Sequence, residues 1–165
     1  FCGGIRVEKE SDVTLQPGVY IIKDGPIVLD KNARLRGTQV GLYFTGEKSG
    51  ITISKETSLS LTAPTSGPMA GLLMFQDRSI KRDDVKFEIS SDDASVLLGT
   101  IYLPRGHLLL GGDKPVAQKS AYTIIVANKI QASAGPTLVL NSDYAATDVP
   151  TPNGLGSLSG QIALQ

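Results

Sequence analysis

The chain has 165 residues, with 16 Lys and Arg against 16 Asp and Glu, so its formal charge is zero and no global field draws it to nucleic acid or to an anionic membrane. No run approaches 18 consecutive apolar residues, which argues against a membrane-spanning helix, and aromatic residues make up 5% with no Trp, which argues against a stacking platform for sugars or bases. The length suits one domain able to bury about 70% of its unfolded surface, and 18 Gly and 9 Pro suit a chain that turns often.

In chain order, Phe1-Cys2-Gly3-Gly4 lacks an initiator Met and starts inside a turn-like stretch, which points to a fragment or a processed product. Two readings of Cys2 stand: a disulfide with a missing upstream segment, as suits an extracytoplasmic protein, or a lone thiol without a role. Val13-Thr-Leu15 then alternates apolar and polar. At Val19-Tyr-Ile-Ile an apolar segment begins an echo, returning as Gly41-Leu-Tyr-Phe, Gly71-Leu-Leu-Met-Phe, Gly99-Thr-Ile-Tyr-Leu and Tyr122-Thr-Ile-Ile-Val. A second segment follows each copy: Pro26-Ile-Val-Leu, Gly50-Ile-Thr-Ile-Ser, Lys86-Phe-Glu-Ile-Ser, His107-Leu-Leu-Leu and Lys129-Ile-Gln-Ala-Ser. A third comes after that, as Ala33-Arg-Leu-Arg-Gly-Thr, Ser58-Leu-Ser-Leu-Thr-Ala-Pro, Ala94-Ser-Val-Leu-Leu-Gly-Thr and Pro136-Thr-Leu-Val-Leu, with Val116 to Ser120 filling its slot poorly.

These segments are too short for amphipathic helices, and Gly- and Pro-rich turns such as Pro17-Gly18, Asp24-Gly25-Pro26 and Gly111-Gly112-Asp113 separate them. Three short strands repeated in one order, with a turn restarting roughly every 21 to 31 residues, predict an all-β, single-domain, right-handed parallel β-helix (β-solenoid) of about five coils. A β-sandwich or jelly roll also has short strands and frequent turns, but it has no reason to repeat three strand types in sequence. The solenoid is assigned to residues 1–143 and a tail that packs on or caps it to 144–165, where Gln161-Ile-Ala-Leu164 is expected to run back and cover an edge. Ala63 to Pro68 and Gln76 to Lys86 read as loops leaving the coil, and loops of that size often carry function.

Parallel β-helices are the scaffold of many pectin-degrading enzymes, which use clustered carboxylates as an acid and base pair or as a calcium cage beside a basic residue. The candidates are Asp30, Asp77, Asp83, Asp84, Asp92 and Asp93, with Arg78, Arg105 and His107. If the chain is an enzyme, Asp77, Asp83, Asp84, Arg78 and Arg105 carry the chemistry, since matching slots for Phe75 and Leu103 would bring Asp77 near Arg105. Against this, the adjacent pairs Asp83-Asp84 and Asp92-Asp93 sit in turn-like stretches where Asp is common for backbone reasons. Arg78, Lys81 and Arg82 interleave with Asp77, Asp83 and Asp84, which reads as a solvated mixed-charge loop. His107 is the only histidine, and no phosphate-binding loop, dinucleotide fingerprint or Cys-x-x-Cys is present, so no cofactor and no metal are expected. Tyr20, Tyr43 and Tyr102 recur at similar slots and read as an internal or corner stack. Thr52, Thr57, Thr62, Thr65 and Thr100 do not recur at one slot, which ranks an ice- or glycan-binding solenoid third.

The runs Leu15-Gln-Pro-Gly-Val-Tyr-Ile-Ile-Lys-Asp-Gly, Leu61-Thr-Ala-Pro-Thr-Ser-Gly-Pro-Met-Ala-Gly-Leu-Leu, Leu98-Gly-Thr-Ile-Tyr-Leu-Pro-Arg-Gly and Leu140-Asn-Ser-Asp-Tyr-Ala-Ala-Thr-Asp-Val-Pro resemble the C-terminal region of TadG-like proteins of bacterial tight-adherence (Flp-type) pilus assembly systems. The likeness covers nearly the whole chain in the same order, and the Cys-Gly-Gly-Ile opening resembles the family's entry into this region. It implies an extracytoplasmic, non-enzymatic structural or interaction domain, held at the membrane only through a missing N-terminal anchor. It further implies protein partners in the pilus machinery or envelope and no catalytic residues, while the unpaired backbone groups of a solenoid's end coils would allow self-association through its ends. A β-helix lyase or hydrolase acting on acidic glycans is the alternative.

Overall fold

The computed structural model describes residues 1–133, 135 and 137–152. Twelve strands follow one another: β1 (Ile5–Val7), β2 (Asp12–Leu15), β3 (Gly18–Lys23), β4 (Pro26–Leu29), β5 (Arg34–Gly37), β6 (Val40–Thr45), β7 (Gly50–Ile53), β8 (Ser58–Thr62), β9 (Leu72–Gln76), β10 (Val85–Ile89), β11 (Asp93–Leu110) and β12 (Thr123–Ala132). The only helical element among the described residues is a 3₁₀ turn at Tyr144–Ala146. Every strand pairing is parallel, and each strand pairs with the equivalent one in the next coil, so the chain is a β-solenoid.

Three faces result. The first holds β1, β4, β7 and β10, then the end of β11 from Gly106 and the end of β12; the second holds β2, β5, β8 and the start of β11; the third holds β3, β6, β9, the middle of β11 and the start of β12. These are the three segment types of the echo. In the first face Ile5, Ile27, Ile51, Phe87, Leu108 and Ile130 stack in register, so a coil takes 22, 24, 36, 21 and 22 residues. The long third interval holds both loops expected from the sequence. β1 escaped the echo because its three residues offer one alternation, Ile5-x-Val7.

Alternation places the core. Arg34-Leu35-Arg36 buries its Leu and exposes both Arg, and β8 buries Leu59 and Leu61 between half-buried Ser and Thr. Inward columns from the three faces merge in one core, with Phe44, Leu61 and Phe87 all at 0% exposure. The slot at Val116 to Ser120, weak in sequence, carries a single parallel bridge from Val116 to Leu138, while the Ala117 N–H donates to the Ala94 carbonyl. The proposed strand start at Pro136, and the tail segment 161–164, lie outside the described residues.

Two sequence expectations change. β9 carries one extra residue, because Thr100 pairs with Leu72 while Ile101 pairs with Met74, and this bulge sets Phe75 opposite Tyr102 instead of Leu103. Tyr20, Tyr43 and Tyr102 do not share a slot either: Tyr20 pairs with Leu42 on the inward register, whereas Tyr43 and Tyr102 flank Phe75 on the outer side of the third face.

The corner between the first and second faces repeats a left-handed residue in three coils, Glu10 at φ 61°, Asn32 at 61° and Glu56 at 59°. The Asn32 N–H donates to the Glu56 carbonyl at 2.8 Å, stacking one corner on the next. Asn tolerates this conformation better than Glu. Glu10 is exposed and its side chain makes no hydrogen bond or ion pair among the described residues, so Glu10→Asn is expected to raise stability by about 0.5–1 kcal/mol. Urea unfolding that shows a loss would contradict the corner geometry.

Candidate functional site

The outer side of the third face carries an aromatic ladder across coils two to four. Tyr43 stacks on Phe75 with centroids 5.6 Å apart and planes 9° apart, Phe75 stacks on Tyr102 at 5.1 Å, and the Arg78 guanidinium lies over the Tyr102 ring at 5.2 Å. The register extends this column to Ile21 at one end and Val126 at the other. Parallel pairing in register forces the stack, since successive coils place equivalent side chains about 4.8 Å apart.

Beside the ladder the first loop folds back onto the sheet. Gly41 lies under the Met69 side chain, and a Cβ there would sit 2.9 Å from Met69 Cβ, so the missing side chain makes room for the loop. Pro68, Met69 and Leu72 thus form one wall of a groove of about 320 Å³ whose other wall is Val19, Ile21, Tyr43 and Phe75. None of these residues is charged. Val19 and Ile21 remain 46% and 54% exposed, an arrangement that leaves large apolar side chains contiguous at the surface.

At the far edge of the ladder, Asp77 accepts from the Ser79 N–H and from the Thr45 hydroxyl, both at 2.8 Å. These bonds, the Ser79 amide first, hold its carboxyl below the usual range. Burial, and then the Asp77 charge, push the neighbouring Tyr43 phenol up.

Comparisons of the chain with protein-family models, with curated proteins and with solved structures gave no match.

The remaining sequence candidates are dispersed among structural roles. Asp30 receives Arg6 in a two-pronged ion pair at 2.9 Å. Asp92 accepts from the Glu56 N–H, and Asp93 accepts from the Ser58 and Ser95 hydroxyls, the Ser95 bond being the main reason its carboxyl lies below the usual range. These two sit at the corner between the first and second faces, and Asp93 borders an open polar groove with Arg34, Arg36 and Lys119. Asp84 is paired with Arg82, whose guanidinium lowers its pKa. Asp83 is exposed, and its backbone carbonyl accepts from the Asn128 side chain. Glu47 accepts the Lys81 and Arg82 N–H groups, which hold it below the ordinary carboxylate range. The 77–84 loop is thus the solvated mixed-charge loop that its sequence suggests, pinned by Glu47 and Asn128.

Arg105 does not reach Asp77 through a shared slot. The β9 bulge shifts the alignment, and the Arg105 N–H donates instead to Gln76 Oε1 at 2.9 Å, with Gln76 itself fully buried. His107 lies in an outward column with Lys86 and Lys129. No three His, Cys, Asp or Glu side chains gather as a metal cluster among the described residues. Thr52 stacks between Val28 and Glu88, and Thr62 against Leu98, so these positions form no threonine ladder. Cys2 carries a free, exposed thiol, and its backbone forms an isolated parallel β-bridge with Lys23. No helix among the described residues is long and apolar enough to cross a membrane.

Sequence reasoning missed the groove. A β-strand at this spacing makes Tyr43, Phe75 and Tyr102 look like core residues, and Met69 lies in a loop whose return path has no local signature. The signal that was present is Gly41, a small residue at an outward position between Val40 and Leu42.

Proposed function

We propose that this β-solenoid is a non-enzymatic interaction domain whose outer third face docks a protein partner. The carrying observation is the contiguous outward column Ile21, Tyr43 and Phe75, with Val19 beside it, walled by Met69 and set on a rigid parallel sheet. Stacked aromatics with few rotatable bonds lose little entropy on binding, and their polar tips suit an interface that is dry at its centre and wet at its rim. Asp77, Asp84 and Asp93 are held ionised by donors within the chain, which speaks against any of them serving as a general acid, since that role requires a raised pKa.

The finer assignment rests on the resemblance to TadG-like proteins: the domain works outside the cytoplasm, in pilus assembly or adhesion, and its partner belongs to that machinery or to the envelope. Immobilised domain is expected to retain a pilus-assembly component from the envelope of a bacterium that builds tight-adherence pili, and the double variant Tyr43→Ser/Phe75→Ser is expected to lose at least about tenfold of that capture, as for removal of central aromatic anchors. Equal capture by the variant removes the third face as the site. Capture of no pilus component removes the pilus assignment, and turnover of a uronate polymer by the domain would replace both with the lyase or hydrolase alternative.

A further inference from the structure

Side-chain length shapes the outer side of the second face. Coil two carries Arg34 and Arg36 there, coil three places Ser58 and Ser60 directly beside them, and coil four sets Asp93 against Ser58 and Val96 against Ser60. The bulge between Asp93 and Val96 adds an outward Ser95, and the Lys119 N–H of coil five donates to the Ser95 carbonyl at 2.8 Å. Long basic side chains thus flank two coils of mostly short ones. The result is an open groove of about 730 Å³ whose walls stand three coils, about 14 Å, apart.

Asp93 accepts the Ser58 hydroxyl at 3.0 Å and the Ser95 hydroxyl at 2.9 Å. Both hydroxyl protons are thereby spent, so the floor offers a carboxylate and two serine oxygens as acceptors, while the basic side chains of the walls only donate. Arg36 is drawn toward coil one by its ion pair with Asp12, and Glu56 is held by Lys31 at 2.8 Å. Among the described residues Arg34 and Lys119 make no ion pair. We infer that this groove binds an acidic saccharide, its carboxylate or sulfate held by Arg34 and Lys119 and its hydroxyls donating to Asp93, Ser58 and Ser95. An acidic peptide meets these demands less well, because an Asp or Glu side chain brings the anion without donors and an extended backbone turns alternate N–H groups away. A uronate or sulfated sugar carries both kinds of group on one ring. No aromatic ring lines the groove, so charge and hydrogen bonds alone hold the ligand. The threonines form no regular array for a glycan; the register builds one from serines instead. The site lies on a different face from the apolar groove, and its occupancy is independent of what docks there.

The full chain, isotopically enriched, is titrated by NMR at about 20 mM salt, where charge is weakly screened, with hexagalacturonate, a sulfated heparin-type hexasaccharide, neutral maltohexaose and hexaglutamate. At least one acidic sugar is expected to shift the amides of Ser58, Ser60, Ser95 and Lys119, and the tighter of the two identifies carboxylate or sulfate as the anionic group. Maltohexaose is expected to shift none of them, and hexaglutamate to bind at least about threefold more weakly. Arg34→Ala/Lys119→Ala is expected to weaken the acidic sugar by at least about threefold while leaving the unfolding curve in place, since both side chains are exposed. Asp93→Asn separates recognition from simple attraction. Removing a negative charge strengthens a patch that merely attracts anions, whereas loss of the acceptor is expected to weaken the sugar by about threefold or more. Second-face amides that move with neither acidic sugar overturn the inference, as does hexaglutamate bound equally well or tighter binding by Asp93→Asn.

Discussion

Replacing Phe87 with alanine is expected to cost about 3–5 kcal/mol, the usual range for a fully buried aromatic. Phe87 is 0% exposed and stands in the first-face column between Ile51 and Leu108. Its ring meets Phe44 edge-on, with centroids 5.1 Å apart and planes 89° apart, so it joins the first and third faces across the core. Gly106 shows how closely the ring is packed, since a Cβ there would come within 2.8 Å of it. Backbone on every side is fixed by the parallel ladders, and the cavity has little means of collapsing. Because each coil touches mainly its neighbours, the damage is also expected to be local at first, with amide exchange rising in β10 and the end of β11 before it rises in β1 and β2. Glu88→Ala, on the outer side of the same strand, is expected to change stability by less than about 0.5 kcal/mol. Chemical unfolding of the two variants decides the matter; a Phe87→Ala loss near that of Glu88→Ala would mean that the coils slide to fill the space.

The same contrast explains what was legible in the sequence. A parallel stack in register makes each coil repeat the inward pattern of the last, so Ile27-x-Leu29, Ile51-x-Ile53, Phe87-x-Ile89 and Leu108-x-Leu110 expose the first face directly. The echo fails where one residue is added or removed. The bulge in β9 sets Phe75 against Tyr102, and that single step misplaced the relation of Asp77 to Arg105. The groove was hidden for a different reason. It depends on Met69 returning over Gly41, a contact between segments far apart in the chain that no local period encodes. Asp92 and Asp93, adjacent in a turn-like stretch, fill the local roles that such a stretch suggests: one serves the Glu56 amide and the other two serine hydroxyls.

Tyr122→Phe is expected to change how stability responds to alkali, and it probes the junction that holds residues 147–152. Tyr122 is fully buried, and burial, followed by the nearby Tyr144, pushes its phenol up from 10.0 to about 12. Between those values the unfolded chain releases the proton and the folded chain keeps it, so the unfolded state binds fewer protons and stability falls as pH rises. The contribution is complete below pH 10 and disappears as pH passes through about 12. A displacement of that size corresponds to roughly 2–3 kcal/mol at most. The phenylalanine variant lacks this dependence but also lacks the bond to the Pro150 carbonyl, which costs about 1 kcal/mol at neutral pH. Its unfolding curve is therefore expected to lie below that of the native chain at pH 7 and to cross it between pH 10 and 12, whereas parallel curves would contradict the buried phenol. Ionised Tyr122 has no proton to give Pro150, so residues 147–152 are expected to leave Gly71 only as pH rises through about 12. Faster exchange of the Val149 amide in the native chain at that pH, without global unfolding, would show that one buried hydroxyl holds residues 147–152 against Gly71.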